Sequence, residues 1–193
     1  GKRVAFEGEV GPGAVVYDIG ANVGYFSLLA AVLVGKNGQV VAFEPLPRNI
    51  DYLKKHVSLN KFENVTIFEA AVSDHNGEAA FDLGPSTAMG HIAEKGSIKV
   101  RLVALDSLLA SGDLKPPDYM KIDVEGAEYE VLRGAARLIK EYQPILFLDT
   151  HQREAHHNTL SFLEEQGYQL EIIDGKSLAE TRELIARPTK TRG

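Results

Sequence analysis

Short runs of β-branched and apolar residues alternate with longer segments of helical periodicity along most of this chain. The runs lie at residues 14–18, 39–43, 65–68, 119–123, 145–148, 169–173 and 183–186. The spacing of apolar residues predicts helices at residues 25–34, 47–60, 127–140 and 154–166. This alternation is typical of a mostly parallel sheet with helices on both faces, and it predicts a doubly wound α/β fold.

The alternation changes character between residues 77 and 104. Residues 79–83 and 98–102 alternate apolar with polar side chains, which predicts two half-exposed strands inserted at this point. The loop between them, residues 84–96, has no clear period and is the candidate substrate-facing segment. Because the chain has 193 residues and no repeat or linker, we expect a single domain over residues 1–193.

Composition excludes several classes of protein. The chain has no cysteine, so it has neither a disulfide framework nor a thiolate metal site, and this fits a reducing compartment. The net charge is -6 and the basic residues are scattered, which argues against a nucleic-acid partner. The longest apolar stretch falls short of the ~20 residues that span a bilayer. We therefore expect a soluble, cytoplasmic protein without membrane insertion, while the oligomeric state stays open.

Acidic residues stand at the ends of four predicted strands: Asp18, Glu44, Asp123 and Asp149. In an open α/β sheet, ligands bind at the carboxyl ends of the strands. Any one of these acids is equally well explained as a helix cap or a turn former. The four together predict a ligand site at this edge of the sheet.

The loop that follows the first strand narrows the kind of ligand. Gly20 and Gly24 allow a tight turn, but Asn22 stands where a dinucleotide fingerprint has its second glycine and would crowd a pyrophosphate. Asp18 would repel a pyrophosphate and attract an ammonium or sulfonium group. Glu44 lies near the ~20-residue offset expected of a ribose-binding acid. The loop thus favours S-adenosylmethionine (SAM) over NAD, and an NAD-dependent oxidoreductase is the less favoured alternative.

A second dense group of acids lies in residues 121–128. Asp123 and Glu125 can face one crevice, where they would hold the amino group of SAM, accept a proton or bind a hard cation. The alternative is that Glu125 and Glu128 favour the positive start of the following helix. The helix-start explanation is the preferred one for Glu128. For Glu125, a role in the crevice and a role at the helix start both remain open.

Five strings together resemble the FkbM family of SAM-dependent methyltransferases: Asp18-Ile-Gly-Ala-Asn-Val-Gly24, Ala42-Phe-Glu-Pro-Leu-Pro47, Ala70-Ala-Val-Ser-Asp74, Leu105-Asp-Ser-Leu108 and Lys121-Ile-Asp-Val-Glu-Gly-Ala-Glu128. The resemblance runs from about residue 13 to residue 151. It implies a class I methyltransferase sheet of seven strands, the last one antiparallel. It also implies methylation of a hydroxyl on a sugar, polyketide or other small-molecule or glycan acceptor.

The resemblance assigns roles to individual positions. It places the methionine side of SAM against the first loop, at Asp18, Gly20, Ala21, Asn22 and Gly24. It gives the ribose hydroxyls to Glu44 and the surroundings of the adenine to Pro45 or Leu46, Ala70 and Ala71. Asp123 would lie near the methionine amino group and the acceptor. One position departs from the family pattern, since Asp149 stands where a glutamate is common.

The candidate catalytic residues are His151, Asp123 and Glu125. His151 follows a predicted strand end, and its imidazole titrates near neutrality, so it is the candidate base for an alcohol acceptor. A metal-assisted variant would use Asp123, Glu125, Asp149 and His151, but their spacing forms no ligand signature, and we predict no metal site. A catalytically silent SAM-binding protein would keep the same loop without a base and remains an alternative.

Overall fold

The computed structural model describes residues 1–82, 91–92, 96 and 98–189. The elements follow one another as α1 (Lys2–Glu9), β1 (Val15–Ile19), α2 (Tyr25–Val34), β2 (Gln39–Phe43), α3 (Pro47–Leu59), β3 (Val65–Phe68), β4 (Ala71–Val72), β5 (Gly77–Asp82), β6 (His91–Ile92), β7 (Ile98–Val103), α4 (Leu105–Ala110), β8 (Tyr119–Asp123), α5 (Glu128–Gly134), α6 (Ala136–Tyr142), β9 (Ile145–Asp149), α7 (Arg153–Glu165), β10 (Tyr168–Ile172) and β11 (Glu183–Pro188).

Within the described residues, seven strands form the main sheet in the order β10-β11-β9-β8-β1-β2-β3. Neighbouring strands are parallel except for β11, which is antiparallel to both β9 and β10. The chain moves from β1 outward through β2 and β3, and it later returns to place β8 on the other side of β1. This reversal of strand order is where ligands bind in open α/β sheets. The predicted doubly wound sheet with an antiparallel last strand is confirmed.

The predicted insertion is a second sheet with the order β4-β7-β5-β6. The two predicted half-exposed strands are β5 and β7, which pair antiparallel. Two further strands, β4 and β6, have only two residues each, too few for an apolar period to reveal them. Residues 91–92 of the predicted substrate-facing loop form β6, whereas residues 83–90, 93–95 and 97 lie outside the described residues.

Both faces of the main sheet are buried, because helices cover each of them. Successive strand residues point to opposite faces, so Val16 packs with α1 and α2 while Tyr17 packs with the helices of the other face. Phe6 of α1 is completely buried, and its ring centroid lies 5.0 Å from that of Phe147. The sequence patterns did not reveal α1. No helix in the described part of the chain is both long and apolar enough to cross a membrane.

The helix predicted over residues 127–140 is two helices. It is interrupted at Ala135, whose φ of -117° and ψ of 14° are not helical. Gly134, at the end of α5, packs directly on the chain after β4. A Cβ at this position would lie 2.0 Å from the backbone oxygen of Ser73. Only glycine lets α5 approach the second sheet this closely. A backbone oxygen, unlike the end of a flexible side chain, cannot rotate away from an added methyl group.

We predict that Gly134→Ala destabilises the fold while Gly8→Ala does not. The methyl group at position 134 forces a backbone shift of the kind that costs about 1–3 kcal/mol in the free energy of unfolding. Gly8 is an exposed helical glycine with nothing within 4 Å of an added Cβ. There alanine adds about 0.5–1 kcal/mol through helix propensity. Urea denaturation of both variants measures the difference, and equal effects would contradict the close contact at Gly134.

Candidate active site

A cavity of about 480 Å³ lies at the carboxyl ends of β1, β2 and β8. Its volume is in the range of about 300–1,000 Å³ typical of small-molecule sites. Phe81 and Ala71 bring the second sheet to its wall. Of the residues predicted to bind the cofactor, eight line this cavity: Gly20, Ala21, Asn22, Glu44, Pro45, Ala70, Ala71 and Asp123. Asp18 and Gly24 do not.

The glycine loop, residues 20–24 between β1 and α2, is shaped by contacts on both of its sides. Gly20 has a φ of +78°, and a Cβ there would lie 2.0 Å from the backbone oxygen of Asp123. Gly24 has a φ of +100° and directly precedes α2, where a Cβ would lie 2.5 Å from the side chain of Leu53. The first glycine therefore lets the loop touch the end of β8, and the second lets α2 begin beneath α3. Asn22, between them, also has a positive φ of 51°.

Asp18 lies behind the wall of the cavity and is only 1% exposed. Its carboxylate accepts a hydrogen bond of 2.5 Å from the Ser27 hydroxyl and lies 3.2 Å from the ammonium of Lys121. Lys121 also donates to the carbonyl oxygen of Gly20 at 2.9 Å. The sequence predicts that Asp18 attracts a cationic group of the ligand, but in the structure its negative charge faces Lys121. Asp18 and Lys121 together hold the loop against β8.

Glu44 is fixed at the edge of the cavity. Its carboxylate accepts hydrogen bonds from the backbone N–H of Asn22 at 2.8 Å, the N–H of Leu46 at 3.0 Å and the amide of Asn49 at 3.1 Å. Burial raises the pKa of Glu44 above its usual value, although these donors act in the other direction. A carboxylate accepts about four hydrogen bonds. Glu44 therefore keeps the capacity to accept one from a ligand hydroxyl.

Asp123 ends β8 among positive groups. The ammonium of Lys2 lies 3.4 Å from its carboxylate, that of Lys121 3.6 Å, and the imidazole Nε2 of His151 3.6 Å. Burial alone would raise the pKa of Asp123, but the charges of Lys121 and Lys2 outweigh it and the pKa is lowered. Asp123 is therefore anionic at neutral pH and a poor proton acceptor, which argues against its use as a base.

The structure brings the three candidate catalytic residues together. Nε2 of His151 lies 3.6 Å from Asp123 and 3.9 Å from the carboxylate of Glu125. Both carboxylates line the cavity, whereas His151 is not among its lining residues and contacts it through them. The opposite ring nitrogen, Nδ1, lies 2.9 Å from Glu128. This contact raises the pKa of His151 above its ordinary value of 6.5, against burial, which would lower it.

Three residues of this site were not anticipated as such from the sequence. Lys2 reaches the strand ends from α1 and forms ion pairs with Asp149 and Asp123. Lys121 lies within the string of residues 121–128, but the sequence indicates no role for it. The sequence indicates only a favourable charge at a helix start for Glu128, yet this residue is fully buried and contacts His151. No local pattern reveals such partners, because they lie far apart along the chain.

The metal-assisted alternative gains no support from the arrangement of these side chains. In the part of the chain that the structure describes, no group of three or more His, Asp or Glu residues is placed to hold a metal ion. The ammonium of Lys2 lies against both Asp123 and Asp149, two of the four candidate ligands. These carboxylates thus have a lysine as their counterion.

A second cavity, of about 430 Å³, adjoins the first. The two share Glu125 and Ala127 in their walls. The second cavity lies between the second sheet and the start of α5, and its lining includes four carboxylates, from Asp74, Glu78, Glu125 and Glu130. Asp74 is paired with Arg133 at 3.2 Å and with His75 at 2.7 Å. Glu78 is paired with the exposed Lys99 at 3.8 Å. Glu125 and Glu130 have no lysine or arginine partner among the described residues, so the wall is negative overall.

The fold, with its cavity at the strand ends, is that of the class I SAM-dependent methyltransferases. An FkbM methyltransferase structure from Methylobacillus flagellatus KT superposes with a TM-score of 0.64 at 20% identity, over 90% of this chain and 43% of that one. A SAM-dependent O-methyltransferase from Thermotoga maritima superposes with a TM-score of 0.60 at 15% identity, over 100% of this chain and 66% of the other.

The family model of the methyltransferase FkbM domain matches residues 18–170, and the chain belongs to this family. The resemblance seen in the sequence motifs is therefore confirmed. The match begins at Asp18, the last polar residue before the glycine loop. It includes the last two residues of β1, all of β2 and β8, and the second sheet.

Curated relatives carry more specific names. The hexuronic acid methyltransferase AglP of Haloferax volcanii is 30% identical over 128 residues, which are 65% of this chain and 52% of the relative. The 2-O-methyltransferase NoeI of Sinorhizobium fredii is 29% identical over 145 residues, which are 64% of this chain and 58% of the relative. The chain thus spans between half and three fifths of the length of these relatives.

We predict a strong energetic coupling between Asp18 and Lys121. Removing either charge leaves the other buried without its counterion, which costs about 3–5 kcal/mol. Lys121→Met should therefore lower the free energy of unfolding strongly. Adding Asp18→Asn should restore part of the loss.

The exposed ion pair of Lys54 and Glu69, with an N–O distance of 2.5 Å, is the matched control. Its double-mutant cycle should show far weaker coupling, because solvent screens both charges. Additive effects of Asp18→Asn and Lys121→Met in urea denaturation would show that the buried pair does not hold the loop.

Proposed function

We propose that this chain is an O-methyltransferase that uses SAM to methylate a hydroxyl of a small molecule or sugar, and that residues 1–193 act as one SAM-binding domain. The observation that carries the proposal is the gathering of the glycine loop, Glu44 and Asp123 around one cavity. The O-methyltransferase names among the relatives support the same reaction class.

The lining of the first cavity fits SAM part by part. Glu44 would accept hydrogen bonds from the ribose hydroxyls, because its carboxylate is already oriented by three donors. Ala70 and Ala71 leave room for a flat ring beside Leu46. Asp123, held anionic, suits the methionine amino group. When bound, SAM supplies an electrophilic methyl group, and the protein contributes by aligning the acceptor oxygen with it.

His151 is the proposed general base for the acceptor hydroxyl. Its Nε2 is directed toward the two carboxylates that line the cavity, and it lies beyond hydrogen-bond distance of both. Proton transfer to a well-placed base contributes about 10²–10⁴-fold to the rate. Once the ring is protonated, Asp123 and Glu125 stabilise the imidazolium. This arrangement favours an active enzyme over a catalytically silent SAM-binding protein.

The second cavity is the proposed acceptor site, because it joins the cofactor cavity at Glu125. Its carboxylates accept hydrogen bonds from hydroxyl groups and repel an anionic substrate. We therefore propose a neutral, hydroxyl-rich acceptor such as an uncharged sugar, in contrast to the hexuronic acid named for one relative. The absence of a nucleic-acid partner stays a prediction that rests on the scattered basic residues of the sequence. The cytoplasmic location stays a prediction of the sequence.

We predict that methyl glucoside is a better acceptor than methyl glucuronoside. The negative wall should give the neutral sugar an advantage of about tenfold or more in kcat/KM, measured as release of S-adenosylhomocysteine (SAH). Glu130→Gln should narrow this preference, because it removes one charge from the wall. The exposed Glu141→Gln is the control and should leave the preference unchanged.

Two outcomes of this assay would count against the proposal. No SAH release with either sugar, from a protein that binds SAM, would favour a silent binding protein. A preference for the glucuronoside would place the acceptor away from the negative cavity.

A further inference from the structure

We propose that Glu128 is a positioning residue that accepts the Nδ1 proton of His151 and so directs the Nε2 lone pair toward the reacting end of the site. This inference rests on the proposed role of His151 as the base. It concerns a residue whose sequence position indicated only a favourable charge at a helix start. The structure gives it a contact across the site instead.

The burial of Glu128 is the first observation. Its side chain is fully buried at the first turn of α5. One carboxylate oxygen accepts hydrogen bonds from the N–H of Gly126 at 3.1 Å and from His151 at 2.9 Å. The other oxygen is buried with no hydrogen-bond partner among the described residues. Burying an oxygen without a hydrogen bond lowers the stability of the fold. An exposed acid would stabilise the positive helix start without this loss, so the helix start alone does not explain why Glu128 is buried.

The two sides of the imidazole differ. On the Nδ1 side, Glu128 is within hydrogen-bond distance. On the Nε2 side, Asp123 and Glu125 lie at 3.6 and 3.9 Å, too far for a hydrogen bond. The main chain of His151 is held as well, since its carbonyl accepts a 2.6 Å hydrogen bond from the guanidinium of Arg182. The ring is therefore fixed: Nδ1 forms a hydrogen bond with Glu128, whereas Nε2 forms none with Asp123 or Glu125.

His156, on the same side of the molecule, shows the contrasting arrangement. Its Nδ1 lies 2.7 Å from the hydroxyl of Thr150, and its Nε2 lies 2.8 Å from the carbonyl oxygen of Leu178. Both nitrogens of this buried ring are engaged by the fold, so it has no nitrogen left for a substrate. Of these two neighbouring histidines, His151 has the geometry of a base.

A carboxylate at Nδ1 has a definite chemical consequence. It accepts only, so the neutral ring must carry its proton on Nδ1 and keep Nε2 unprotonated. It also stabilises the imidazolium that forms when Nε2 takes up a proton. Asp123 and Glu125 add to this effect from the other side, while Lys2 and Lys121 oppose it through their proximity to Asp123. Glutamine at position 128 would keep the shape and lose the charge.

The experiment is an NMR titration of the histidine ring nitrogens in the free protein. The wild type should show His151 as the Nδ1–H tautomer with a pKa above its ordinary value. In Glu128→Gln the pKa should fall by about one unit, and the tautomer preference should weaken. Glu154→Gln, an exposed acid in the first turn of α7, is the matched control and should leave the titration unchanged. A dominant Nε2–H tautomer, or an unchanged pKa in Glu128→Gln, would overturn the proposal.

The pH profile of SAH release with methyl glucoside adds a kinetic test. A lower pKa keeps the base unprotonated to lower pH, so the acidic limb of kcat/KM should move to lower pH in Glu128→Gln. Its plateau should fall by about tenfold, because the ring is a weaker and less well oriented base. A lower plateau with an unmoved acidic limb would indicate a purely structural role and contradict the proposal.

The titration separates this proposal from the proposed function. It needs neither acceptor nor turnover, so absent methyl transfer would affect the function alone. Methyl transfer by a protein with an Nε2–H tautomer would leave the function intact and remove the role of Glu128. If Glu128→Gln does not fold, the tautomer of His151 in the wild type still tests the proposal, since Nδ1–H supports it and Nε2–H overturns it.

Discussion

The buried ion pair of Asp18 and Lys121 is the interaction on which the site depends. It joins the ends of β1 and β8, the two strands between which the order of the sheet reverses. Lys121 extends the connection to the Gly20 carbonyl, at 2.9 Å, and so to the loop that forms the floor of the cavity. A buried pair of this kind is not needed for stability as such. Here it fixes where the loop lies relative to Asp123.

The same positive charges organise the chemistry next to the loop. Lys121 and Lys2 keep Asp123 ionised, which leaves His151 as the one proposed base beside two carboxylates that line the cavity. Glu128 contacts the opposite ring nitrogen of His151, Nδ1, at 2.9 Å. Acidic and basic side chains thus alternate through the site, from Asp18 through Lys121 and Asp123 to His151 and Glu128, and neighbouring members of the series are in contact or close to it.

Local patterns were sufficient to predict most of the fold and most of the residues that the structure gathers around the first cavity. The strands and the helices after them repeat with clear periods, and Glu44 lies near the ~20-residue offset at which a ribose-binding acid is expected. Long-range pairings were not predictable, because nothing near Lys2 indicates Asp149 and nothing near Glu128 indicates His151. The orientation of Asp18 toward Lys121 was not predictable for the same reason, since its partner lies on another strand. The strands β4 and β6 are too short to show a period.

The central claim is that the cavity at the strand ends holds SAM through Glu44, and calorimetry tests it most directly. SAM should bind the wild type, and NAD should not. Glu44→Gln should weaken SAM binding by about 10- to 100-fold, the loss expected for a hydrogen bond to a charged group. The exposed Glu63→Gln should bind SAM as the wild type does. Unchanged affinity in Glu44→Gln, or NAD binding in place of SAM, would contradict the account.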